Sequence, residues 1–188
     1  MQLRIKLCKW AFRCILKFKW KTAWQLLLFR FDIYAPNLEQ YSCNQISAQT
    51  FWRQIANKCG QRITKQMKSS LSKINLNQDL ISLLDSVQDK YDFYILSDCG
   101  TDKAKIILKN LPNLNFKKII FSCDYKCSKR QGDLFYSFLQ ETNLQAAECL
   151  FLDDSKTNIK TAKTFGFQTF YFKNNQKIIQ LLKSKLSA

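Results

Sequence analysis

Four short runs of aromatic and β-branched residues, separated by stretches of helical spacing, constrain this chain more than any other feature of its sequence. They are Tyr91 to Leu96, Lys118 to Ser122, Glu148 to Leu152 and Gln168 to Phe172. Between them lie Thr101 to Asn110, Gly132 to Thr142 and Thr157 to Phe165, each of helical character. Antiparallel strands can be joined by a tight turn, whereas parallel strands need a crossover about a dozen or more residues long. The alternation here has the crossover spacing, so the expected fold class is α/β, a parallel sheet with helices on its faces.

The texture before Lys90 differs. Leu3, Leu7, Trp10, Cys14 and Phe18 recur at helical spacing beside a basic stripe of Lys6, Lys9, Arg13 and Lys17, which predicts an amphipathic helix. Pro36 breaks the pattern after Asp32 to Ala35. Ser47 is placed to cap a second helix in which Phe51, Ile55 and Cys59 form the apolar face and Gly60 the stop. Arg62 to Ser72 predicts a third helix. Asn75 or Asn77 would cap another, with Leu80, Leu83, Leu84 and Val87 as its buried stripe. The chain therefore divides near residue 74, into a basic helical segment over 1–74 and an α/β part over 75–188.

Charge bears on partners. The chain carries 30 Lys and Arg against 14 Asp and Glu, a net charge of +16. From Met1 to Phe31 there are eight basic residues and no acid. Such a field attracts nucleic acid, ribonucleoprotein or anionic membrane, and it also suits a Lys-rich solvated surface or an organelle-targeting segment. The apolar stretch Gln25 to Phe31 is too short to span a bilayer, so no transmembrane segment is expected. Eight cysteines are scattered through apolar contexts, with no histidine to complete a mixed zinc site. They read as reduced, buried thiols, which points to a cytoplasmic protein.

In parallel sheets ligands bind beyond the carboxyl ends of the strands. The first run ends in Ser97 and Asp98, Lys126 and Lys129 follow the second, and the third ends in Asp153 and Asp154 ahead of Ser155 and Asn158. A hydroxyl and backbone N–H groups suit phosphate oxygens, a lysine neutralises charge on a phosphoryl group, and carboxylates hold Mg²⁺. Taken singly, each has an ordinary reading. An Asp-Asp-Ser before a helix, for example, is often only an N-cap with a favourable dipole contact.

In combination these segments resemble the haloacid dehalogenase-like (HAD) hydrolases. Ile95-Leu96-Ser97-Asp98 is similar to the family's second motif, Ser128 to Phe135 to its third, and Leu150 to Ile159 to its fourth, in the right order. Thr161 to Phe167 is similar to the helix and strand that come next. Ile46 to Trp52 looks like a helix of the small cap. The resemblance implies a HAD-like Rossmannoid core with a parallel sheet plus a small α-helical cap, and a Mg²⁺-dependent phosphatase acting on a small phosphomonoester. It implies Ser97 as phosphoryl-binding and Lys129 as the phosphate-holding catalytic lysine, with Asp98 beside the phosphate and Asp153 and Asp154 as the metal pair. Lys126 is the competing lysine. Asp98 stands where the family usually has Asn, and Arg130 where Pro is common.

The resemblance also implies a nucleophilic aspartate in Asp-x-Asp-Gly-Thr, ending the core's first strand ahead of the cap. No Asp-x-Asp occurs there. Asp32 is the only acid before Glu39, and Tyr34 and Ala35 replace the second acid and the glycine. The α/β part over 75–188 is therefore expected to lack its first strand. Two expectations arise: an N-terminally shortened, inactive phosphatase, or a non-catalytic subunit that binds polyanions through its basic first helix.

Overall fold

The computed structural model describes residues 7–9, 35–72, 76–172 and 175–186. Its centre is a five-stranded, wholly parallel sheet in the order β3-β2-β1-β4-β5. The strands are β1 (Leu7–Lys9), β2 (Phe93–Ser97), β3 (Phe116–Phe121), β4 (Leu150–Asp153) and β5 (Gln168–Tyr171). The helices are α1 (Ala35–Ser42), α2 (Ala48–Cys59), α3 (Gln61–Ser72), α4 (Gln78–Asp85), α5 (Thr101–Lys109), α6 (Ser122–Tyr125), α7 (Asp133–Thr142), α8 (Lys156–Thr164) and α9 (Asn175–Leu186).

Both faces of the sheet are covered, and the strand sequences show why. In β2, Tyr94 and Leu96 point to one face, where Leu134, Phe135 and Phe138 of α7 and Ile159 and Ala162 of α8 complete the core. Phe93 meets Leu80 and Leu84 of α4 and Leu182 of α9 on the other face, and Ile95 meets Ala104 and Ile107 of α5. The same alternation divides Phe151 from Leu150 and Leu152 in β4. Strands buried on both faces need apolar residues at every position, which is why these runs are continuous rather than alternating.

The capping expectations hold at two helices. The Ser47 side chain accepts from the Thr50 N–H at 3.1 Å to start α2, whose end is set by Gly60 at φ 82°. Asn77, rather than Asn75, caps α4. Pro36 does not end a helix but sits in the first turn of α1, where the missing N–H has no intrahelical acceptor to lose. Tyr41, Phe51, Trp52 and Ile55 form a small core of their own between α1 and α2.

The N-terminal region departs from the sequence-based expectation. Leu7–Lys9 form a strand in the central slot, with Leu7 opposite Phe93 and Lys9 opposite both Ile95 and Leu152. The core therefore has a first strand, and α1 to α3 lie in the chain between it and β2 rather than heading one helical block over 1–74. At these three residues the helical periodicity of Leu3 to Phe18 yields to tertiary context, because pairing partners on both sides satisfy the backbone. Lys9 is consequently part of no basic helical stripe. The rest of that predicted helix, Gln25 to Phe31 and Asp32 lie outside the described residues. Among the described residues no helix is long and apolar enough to cross a membrane.

Candidate active site

The carboxyl ends of β2 and β4 flank the central strand, and the turn before α7 crosses beneath them. From that turn Lys129 runs inward and is completely buried. Its Nζ lies 2.8 Å from Asp153 Oδ2, 3.4 Å from the Leu96 carbonyl and 3.8 Å from Asp98 Oδ2. The ammonium also stands 5.8 Å from the centre of the Phe151 ring. Burying a lysine is costly unless a carboxylate and further acceptors compensate it, and here they do. Lys126, the competing lysine, ends α6 in a left-handed conformation and is exposed. The turn itself depends on Gly132 at φ 99°, where a Cβ would come within 2.9 Å of the Phe165 ring.

Asp153 is as buried as its partner, and its two oxygens are fully engaged. Oδ1 accepts from the Ser155 N–H at 2.7 Å, and Oδ2 accepts from Lys129 and from Asn158 Nδ2 at 3.1 Å. Ser155 in turn caps α8 through the Asn158 N–H at 3.3 Å. Asp153 therefore fixes the lysine and the helix start. Its neighbour Asp154 is only partly buried and stands just beyond the strand end.

Ser97 closes β2 and is 4% exposed, in register with Phe121. Asp98 comes next and accepts the Lys129 backbone N–H at 3.0 Å. Burial pushes the Asp98 carboxyl above the usual carboxylate range, and the Asp153 and Glu39 charges push the same way. The Lys129 charge and N–H pull against them. The side chain predicted to lie by a phosphate thus first serves to hold the lysine loop.

Several residues at this edge carry no sequence signal because their contacts join α1 and α2 to segments far along the chain. Glu39 of α1 accepts from the Ser128 hydroxyl at 3.2 Å, one residue from the buried lysine. Asp102, in the first turn of α5, accepts from the Tyr41 hydroxyl and from Trp52 Nε1 at 2.8 Å. Tyr41 also packs against Gly100, where any Cβ would overlap its ring. Ser122 Oγ donates to the Ser42 carbonyl at 2.7 Å and accepts from the Cys99 N–H at 2.9 Å. These contacts bind α1 and α2 to the ends of β2 and β3. Only long-range pairing produces them, so no local motif could announce them.

A divalent cation is implied by the resemblance, and the donor set bears on it. Mg²⁺ prefers oxygen ligands, and one or two carboxylates suffice when waters and a substrate phosphate complete the octahedron. Asp154 at the mouth, with Asp153 behind it, fits that requirement. Among the described residues no group of three or more Asp, Glu, Cys or His converges as a self-sufficient metal site.

Comparison with known proteins agrees with this fold. The fold is similar to that of a HAD family enzyme from Bacteroides thetaiotaomicron, at TM-score 0.72 and 21% identity over 90% of this chain and 94% of that one. The same enzyme in complex with magnesium and inorganic phosphate matches at TM-score 0.69 and 20% identity, with the same coverage. A predicted HAD-like hydrolase from Porphyromonas gingivalis matches at TM-score 0.70 and 21% identity, over 87% and 85% of the two chains. No curated protein sequence matches the chain. The sequence model of the haloacid dehalogenase-like hydrolases matches residues 32–172, which include α1 to α3, the buried lysine and the acidic pair. That match spans more than half of the sequence, and the chain belongs to the haloacid dehalogenase-like hydrolase family.

Proposed function

We propose that this site binds the phosphate group of a small phosphomonoester together with Mg²⁺, and that the sequence as it stands turns such esters over very slowly or not at all. The observation that carries the first half is the fully buried Lys129–Asp153 pair at the carboxyl ends of parallel strands. In this reading Lys129 supplies fixed positive charge to the phosphoryl oxygens and Ser97 their hydroxyl partner. Asp154 contributes carboxylate oxygen to the cation, with Asp153 holding lysine and helix in place. When bound, the cation would neutralise phosphate charge. The relative crystallised with magnesium and inorganic phosphate supports the ligand class.

The second half rests on the residues that come after the central strand. No Asp or Glu occurs between Lys9 and Asp32, so no carboxylate stands just after β1 to attack phosphorus. Isothermal titration with inorganic phosphate, with and without Mg²⁺, tests the first half. Binding should strengthen with Mg²⁺ and weaken at least about tenfold in Lys129→Ala, the loss of roughly one charge-assisted contact of 1.4 kcal/mol or more. Absence of phosphate binding by the folded protein would refute it. Hydrolysis of p-nitrophenyl phosphate that vanishes in Asp32→Asn or Asp154→Ala would refute the second half alone.

A further inference from the structure

The phosphate-site reading leaves the cysteines at the same sheet edge unused. Ser97 pairs with Phe121 at the end of the β2–β3 ladder; Cys99 lies two residues past β2, and Cys123 is the second residue of α6, which starts directly after β3. The chains have not diverged there, since the Cys99 N–H still reaches Ser122 Oγ at 2.9 Å. Both side chains are 2% exposed and share one core cluster with Ile95, Ala104, Ile107 and Phe121.

The two thiols lie in that one cluster and interact with each other, while Cys123 Sγ donates to Asp124 Oδ1 at 3.7 Å. That interaction lowers the Cys123 thiol against the opposing effects of burial and Asp124 and raises Cys99, so Cys123 is the readier thiolate. Cys43 is a poor competitor, because burial and the nearby Asp98 and Glu39 charges push its thiol up to about 11. Cys127 is raised as well, chiefly by burial.

We propose that Cys99 and Cys123 are a redox-active dithiol that hydrogen peroxide converts reversibly to a disulfide. The Cys123 thiolate attacks a peroxide oxygen, the O–O bond breaks, and hydroxide leaves a sulfenic acid. The Cys99 thiol then displaces that hydroxyl as water, its proton included, and the S–S bond forms. Two thiols are oxidised as one peroxide is reduced. A thiol reductant reverses the bond by exchange. Because both cysteines are 2% exposed, oxidation needs a local opening of the structure around them and is slow.

The linkage can be read on the full chain without any variant. Cleavage after Lys and Arg places Cys99 alone in residues 91–103, Cys123 alone in 119–126 and Cys127 in 127–129. After peroxide treatment of the folded protein and alkylation, mass spectrometry should show the 91–103 and 119–126 peptides joined, and dithiothreitol should separate them. In Cys99→Ser, with its fold checked by circular dichroism, Cys123 should instead become trappable by dimedone. A dominant link to Cys43 or Cys127, or oxidation of other cysteines with Cys99 and Cys123 left as thiols, overturns the proposal. Neither outcome depends on whether the protein binds phosphate.

Discussion

At the scale of single residues, the molecule turns on a lysine and an aspartate that have left water together. Removing one partner strands the other. Lys129→Met should lower the unfolding free energy by about 3–5 kcal/mol in urea titration, whereas replacing Lys129 and Asp153 together by apolar residues of similar volume should cost far less. A comparable loss in both variants would show that the site tolerates an unpaired charge. Asp98 gives a pH signature. Its raised pKa means the folded protein holds that proton more tightly than the unfolded chain does. The associated stability is therefore fully present below the ordinary aspartate value of about 3.9 and is lost as pH rises through the raised value. Lys129, Asp153 and Glu39 are the charges that face it. Asp98→Asn should remove this loss, so the variant gains stability relative to the parent as pH rises from about 4 to about 7. It should also bind phosphate more tightly, because one negative charge leaves the site while the amide oxygen can still accept the Lys129 N–H.

At the scale of elements, the insertion is attached to the core by a few polar contacts, and these should carry measurable energy. Ser122→Ala leaves the Cys99 N–H and the Ser42 carbonyl without their shared partner and should cost about 1–3 kcal/mol. Ser47→Ala should cost about 1 kcal/mol by uncapping α2. Thermal unfolding of each variant checks both figures. Which elements are legible in the sequence depends on the range of the forces that make them. The helix α2 can be read from Ser47, its apolar face and Gly60 because all three act within one segment. The helix α1 cannot, since Pro36 signals a break unless it falls in the first turn, and that is decided by where Tyr41 docks. The strand Leu7–Lys9 is hidden for the opposite reason. Its local periodicity favours a helix, and only β2 and β4, far along the chain, make it a strand.

At the scale of the whole molecule, the parallel sheet and its covered faces are evident in four apolar runs at crossover spacing, because a doubly buried strand leaves no room for polar residues. The positions of the candidate site residues are legible too. Ser97, Lys129, Asp153 and Asp154 each stand at or beside a strand end, a position that topology assigns to ligands. The division of labour within the acidic pair is not legible, since adjacent identical residues differ only in what surrounds them. Asp153 is enclosed by three donors, and Asp154 stands outside. The contribution of Glu39, Tyr41 and Trp52 comes into view only with the insertion folded onto the sheet. Together these features describe a HAD-like fold, with the phosphate site we propose at its strand ends and no Asp or Glu in the sequence between Lys9 and Asp32. The most direct test is one titration of the intact protein with inorganic phosphate in Mg²⁺, run beside a p-nitrophenyl phosphate assay on the same sample. The account predicts saturable phosphate binding that Lys129→Ala weakens, together with negligible hydrolysis. Brisk hydrolysis, or no binding by a folded protein, would contradict it.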